Sequence, residues 1–139
     1  MSNPFTLRRD FMARFDMSLP ATPQFDAAAL AMWHTMLQEE WQEFSVALQD
    51  YQRIQQAEPA EQTRLRAELA AEGVDVLNVL LGLLLSQGLP VEKMFDAIHA
   101  ANLAKCVDGK VARRADGKIL KPAGWRPADK EGVIRQHGG

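Results

Sequence analysis

Glu72-Gly73-Val74-Asp75-Val76-Leu77-Asn78-Val79-Leu80-Leu81-Gly82-Leu83-Leu84-Leu85 is the stretch whose reading decides the fold. From Val74 onward it is apolar except for Asp75 and Asn78. Residues three apart on a helix share a face, with Cβ atoms about 5–6 Å apart. Glu72, Asp75 and Asn78 therefore form one short polar stripe on an otherwise greasy rod. A helix apolar on all sides is buried, at the centre of a bundle or between subunits. A carboxylate in such a run is costly to bury unless it is paired or binds a cation. Gly73 and Gly82 each cost the helix about 1 kcal/mol relative to alanine, which points to a neighbouring helix passing close by. Gly88 and Pro90 supply the stop.

Working upstream, Glu61 to Ala71 is rich in good helix formers and extends the same helix back to Pro59. Glu58-Pro59 breaks it from a longer pattern. Leu30, Trp33, Leu37, Trp41, Phe44, Leu48 and Tyr51 step by three and four, predicting an amphipathic helix to about Ala57. Thr22-Pro23 or Asp26 caps that helix. Asn3-Pro4 opens a short helix ending near Asp16, and Pro20 and Pro23 mark an extended connection. Downstream, Val91 to Lys105 reads as a third major helix. Asp108-Gly109 and Asp116-Gly117 are turn dipeptides within a basic tail that carries Lys110, Arg113, Arg114, Lys118 and Lys121 and has room for a small hairpin. Asp129 caps a final short helix through Gln136. The expected fold is all-α: a bundle of four to five helices in one domain, residues 1–139, with a core at about 26–105, a turn-rich tail at 106–139, and completion by oligomerisation.

The totals exclude several classes. A net charge of -2 gives no electrostatic case for a nucleic acid polymer or an anionic membrane. The single Cys106 excludes internal disulfides and a cysteine zinc cluster. Met1 to Asp10 lacks the apolar core of a secretory signal. The longest apolar run, broken by Asp75, falls short of the about 20 residues a bilayer needs. A cytoplasmic protein is expected.

The acids carry the chemistry. Glu40 and Glu43 share one helix face, with Glu39 beside them; Glu72 and Asp75 do the same on the next helix. Two glutamates three apart are, taken alone, more often a solvated face than a site. Asp75 between Val74 and Val76 shifts the balance, because buried charges need partners. An all-oxygen donor set suits a hard cation, Mg²⁺ or Mn²⁺, and Mg²⁺ commonly shares its shell with substrate phosphates. A turn at Pro59 lets the two helices run antiparallel and bring the pairs together.

Glu40-x-x-Glu43 followed by Glu72-x-x-Asp75 resembles the signature of the all-α NTP pyrophosphohydrolases. That group includes MazG-like proteins, dimeric dUTPases and phosphoribosyl-ATP pyrophosphohydrolases. His99-Ala-Ala-Asn102-Leu-Ala-Lys105 resembles the downstream helix of the group, and Arg114 to Trp125 resembles a tail found in some members, so the likeness covers about Met36 to Asp129. The resemblance implies a helical bundle, a homodimer or homotetramer, Mg²⁺ dependence, and cleavage of a nucleoside triphosphate between its α- and β-phosphates. Glu40, Glu43, Glu72 and Asp75 would be the metal ligands. Glu39 is the candidate to orient or deprotonate water, since it adjoins the ligands without being needed as one. Asn102 and Lys105 would face the phosphates. Arg114, Lys118 and Lys121, with Arg113, would close over the triphosphate as a basic flap. Asn78 departs from relatives that carry an acid or tyrosine there; it would touch base, sugar or metal-bound water. His99 reads as structural. Nucleotide-pool house-cleaning, dUTPase-like activity included, is expected over phosphoribosyl-ATP hydrolysis. A non-catalytic nucleotide-binding module is the alternative from another class.

Overall fold

The computed structural model describes residues 3–139. Met1 and Ser2, which begin the segment read as lacking a secretory signal, lie outside the described residues. The helices are α1 (Pro4–Arg14), α2 (Ala27–Tyr51), α3 (Pro59–Ser86), α4 (Val91–Leu103) and α5 (Lys130–Gln136), with a 3₁₀ turn at Ile54–Gln56. Strand pairing among the described residues is limited to isolated bridges, Val107 with Lys110 and Arg113 with Ile119. The fold is all-α. The chain divides into two compact units, Met1–Leu89 and Pro90–Gly139.

In the first unit the caps fall where the sequence puts them. Asn3 Oδ1 accepts the N–H groups of Phe5 and Thr6 at 2.9 and 3.3 Å, and Pro4 occupies the first turn. Both satisfy donors that a helix start leaves orphaned. Asp26, not Thr22, caps α2 by accepting from the Ala29 N–H at 3.0 Å. Gln87 then clamps this cap: its Oε1 accepts from Asp26 N–H at 3.0 Å and its Nε2 donates to Asp26 O at 3.1 Å. The start of α2 is thereby joined to the end of α3. α2 stops at Tyr51, short of Ala57, and the intervening residues tighten into the 3₁₀ turn. Glu58 is extended, as a residue before proline prefers.

α2 and α3 run antiparallel along each other: Asp26 meets Gln87, Trp33 meets Gly82, and Phe44 meets Gly73. Met12, Trp33, Ala47, Leu65, Val79 and Leu85 form the buried core. The expected close helix approach occurs at Gly82, where a Cβ would overlap the Trp33 ring. At Gly73 a Cβ would sit 3.6 Å from the Phe44 ring, an ordinary contact, so closeness does not demand glycine there.

The single chain does not bury α3 on all sides at the centre of a bundle, and burial between subunits is the other place expected for it. Val74, Leu77 and Leu80 are 54%, 59% and 39% exposed, and Asp75 is exposed between them. α2 covers one face of α3 and leaves this other face uncovered. By length and composition the whole of α3 would also suffice to cross a membrane, a property hidden when only its uninterrupted apolar run is measured. What the chain shows α3 doing is packing along α2 while carrying acids on the shared face.

In the second unit, α4 ends at Leu103 rather than Lys105, and the Lys105 N–H turns back to Asn102 O at 3.1 Å. The tail makes two small loops, at Asp108-Gly109 and Asp116-Gly117. Asp108 and Gly109 both adopt positive φ, 52° and 72°, the conformation such dipeptides favour. Asp129 caps α5 through the Gly132 N–H at 3.0 Å.

Candidate active site: acids shared by α2 and α3

Antiparallel packing sets the site. Glu40 and Glu43 lie one turn apart on α2, and Glu72 lies on α3 opposite them. One carboxylate oxygen from each of the three falls within 4.8 Å of the other two. Glu40 and Glu72 are half-buried, and each has one oxygen, Oε2, that is buried and has no hydrogen-bond partner. Buried carboxylate oxygens without donors are rare in folded proteins and call for an explanation, such as a bound ion.

The electrostatics agree with the geometry. Burial pushes the Glu40 carboxyl above the usual carboxylate range, with Glu43, Asp75 and Glu72 adding like charge. Burial likewise raises Glu72, with Glu43 and Asp75 adding to it. Crowded acids of this kind favour either a proton or a cation at their centre.

Asp75 is placed differently from the other three acids. It is exposed and lies outside the tight triad, though close enough for its charge to be felt at Glu40 and Glu72. The cost of burial attributed to Asp75 belongs instead to Glu40 and Glu72. Glu39 is exposed on α2 next to the triad, and Asn78 is half-buried one turn beyond Asp75. From Glu43 and Glu72 a groove of about 290 Å³ runs along α2 and α3 past Val46, Ala47 and Leu65 to Asp50 and Arg64.

Arg8 of α1 is a member of this neighbourhood that the sequence did not reveal. Its guanidinium stacks 4.5 Å from the Phe11 ring centroid, and its Nε is buried without a partner. Burial lowers its pKa, and the charge of Asp75 opposes that shift. α1 packs against α3, so a cation faces the acidic helix. The only signal in the sequence is the three-residue spacing of Arg8 and Phe11, which does not say where α1 lies.

Asn102, Lys105, Arg114, Lys118 and Lys121 belong to the second unit. Asn102 and the three tail residues are exposed, and Lys105 is half-buried. Arg114 is already engaged: its Nε and a terminal nitrogen donate to the two Asp116 oxygens at 2.9 and 2.5 Å. That pair holds Asp116 below the usual carboxylate range.

The family model described as phosphoribosyl-ATP pyrophosphohydrolase matches residues 8–102, more than half of the chain. The matched segment begins at Arg8, includes both acid-bearing helices, and ends at Asn102, before Lys105 and the tail. A search of curated proteins finds no match to this chain.

Proposed function

The chain belongs to the phosphoribosyl-ATP pyrophosphohydrolase family, within the all-α MazG-like NTP pyrophosphohydrolases, and from that premise we propose a metal-dependent nucleoside or deoxynucleoside triphosphate pyrophosphohydrolase. Family membership makes it a hydrolase of phosphoric anhydrides. The proposed reaction adds water across the bond between the α- and β-phosphates and yields a nucleoside monophosphate and pyrophosphate. The observation that carries the reading is the convergence of Glu40, Glu43 and Glu72, two of them with an orphaned buried oxygen.

These residues fit a hard divalent cation, because every donor is a carboxylate oxygen and no nitrogen or sulfur intrudes. Glu40, Glu43 and Glu72 would hold Mg²⁺, with Mn²⁺ as a substitute, and Asp75 would complete the set from the exposed side. When bound, the cation supplies neutralisation of the phosphate oxygens. Glu39, free of the triad but adjacent to it, orients the attacking water and takes its proton. Asn78 contributes a hydrogen bond to sugar or base. Asn102, Lys105, Lys118 and Lys121 contact phosphate; Arg114, held by Asp116, stiffens the tail that presents them. The protein would act on the cytoplasmic nucleotide pool as a homodimer or homotetramer.

A second reading, phosphoribosyl-ATP as the substrate, is favoured by the description of the matched family. Pyrophosphate release from each common NTP and dNTP, dUTP included, beside phosphoribosyl-ATP at fixed Mg²⁺, separates the two. Turnover confined to phosphoribosyl-ATP overturns the first reading. Binding of nucleotide without release from any substrate leaves a sensor and overturns both.

A further inference from the structure

Trp125 fastens the tail to its own helix. The indole N–H donates to Ala101 O on α4 at 2.6 Å. The same ring carries two ammonium groups: Lys105 Nζ lies 5.2 Å from its centroid and Lys121 Nζ 5.3 Å. One ring thus gathers a cation from the end of α4 and a cation from the tail. Neither lysine is ion-paired to a carboxylate among the described residues, whereas Arg114 is held by Asp116, and Arg113 donates to Gly117 O at 3.2 Å. An aromatic face attracts an ammonium but does not neutralise it. Two such groups on one ring remain able to take a multiply charged anion. Beside Lys105 opens a groove of about 460 Å³ lined by Lys110, Leu120 and Pro122, with Asp108 as its acid.

We propose that Trp125 is a positioning residue that presets Lys105 and Lys121 as a two-ammonium grip for a polyphosphate. The identity of that polyphosphate as the triphosphate of a nucleotide rests on the function proposed above; the grip itself does not. It lies wholly past residue 102, where the family match ends. The tail is therefore tied in place before ligand arrives, rather than a loose flap that folds down afterwards.

The experiment is calorimetric titration of the full chain with inorganic tripolyphosphate in the absence of divalent cation, so that the acids of α2 and α3 contribute nothing favourable. Loss of one charge-assisted contact is expected to weaken binding about tenfold in Lys121→Gln. Trp125→Leu, which releases both Lys105 and Lys121, should weaken it at least as much, and adding Lys121→Gln to it should cost little more, because the ring acts through the lysines. Trp125→Phe, which keeps an aromatic face, should stay closer to the parent than Trp125→Leu does. With nucleotide and Mg²⁺, the same variants should raise KM and leave kcat unchanged. Fully additive losses would make Trp125 merely structural and overturn the proposal. So would Lys121→Gln binding like the parent, or a parent chain that does not bind tripolyphosphate. If Trp125→Leu does not fold, the Lys121→Gln and Trp125→Phe titrations still decide. Tripolyphosphate binding without turnover of any nucleotide sinks the enzymatic reading and leaves the grip standing.

Discussion

The ring of Trp33 on α2 fills the space that a Cβ at Gly82 on α3 would require. Trp33 is fully buried and cannot swing aside into solvent. Gly82→Ala gains about 1 kcal/mol of helix propensity but overpacks a closed contact, at about 1–3 kcal/mol. A net loss of stability is expected in a denaturant melt. Gly73→Ala, facing Phe44 at ordinary distance, should be neutral or stabilise by up to about 1 kcal/mol. The opposite order of the two variants would mean that this contact does not set the spacing of α2 and α3.

The acids predict a pH dependence in the metal-free protein. Burial first, and then like charge, raises the Glu40 and Glu72 carboxyls. Between the ordinary glutamate value, about 4.3, and these raised values, the folded chain holds protons that the unfolded chain has released. Stability from these groups therefore falls as pH climbs through that window. Mg²⁺ competes with protons for the same oxygens, so it should raise the thermal midpoint more at pH 7 than at pH 5. A Mg²⁺ effect of equal size at both pH values would remove these two acids from the ligand set.

Neutralising one acid should separate stability from activity. Glu72→Gln removes a charge that the folded state crowds. The metal-free protein should be no less stable at neutral pH, and its pH slope should flatten. Pyrophosphate release should fall by about a hundredfold or more, since even supporting groups around a metal commonly cost about 10–100-fold when lost. A variant that stays fully active disproves the role given to Glu72.

These expectations show what the sequence made legible. Helix starts were readable because Asn3, Asp26, Pro59 and Asp129 act on backbone within three residues. The pairing of Glu40 and Glu43 with Glu72 was readable because a short turn before Pro59 forces antiparallel neighbours. Asp75 was read as buried because hydropathy alone cannot tell a face covered by α2 from a face left open. The end of α2 was overrun because Gln52 to Ala57 has helix-forming composition, and only the extended residue before Pro59 shortens it. Arg8 and the Lys105–Trp125–Lys121 cluster were not recognised, since both arise from segments distant in sequence folding onto a helix.

Arg8 gives a prediction of its own. Its guanidinium supplies positive charge facing Asp75 while resting on Phe11. Arg8→Gln should destabilise the metal-free protein modestly, by about 1 kcal/mol or less, because the group is partly solvated and its ring contact is worth about as much. Mg²⁺ should shrink the difference between variant and parent, because the added cation takes over the compensation. A deficit that is unchanged by Mg²⁺ would assign Arg8 to packing on Phe11 alone.

The uncovered face of α3 yields the last prediction. Val74 and Leu77 lie one turn apart, and Leu80 continues the stripe. Burying such a stripe against a second copy would remove its apolar area from water and give a self-complementary contact of the kind dimers use. Glu72 and Asp75 flank the stripe, so a second copy docked there would sit at the edge of the acids. Leu77→Glu should then shift the mass measured by light scattering from dimer or tetramer to monomer, and pyrophosphate release should fall with it. Exposed like charges on facing copies repel, which is why a glutamate is the sharper choice than an alanine. A parent chain that is monomeric in buffer, or that partitions with the membrane fraction as the length of α3 would permit, would remove the dimer and with it the reason for that stripe.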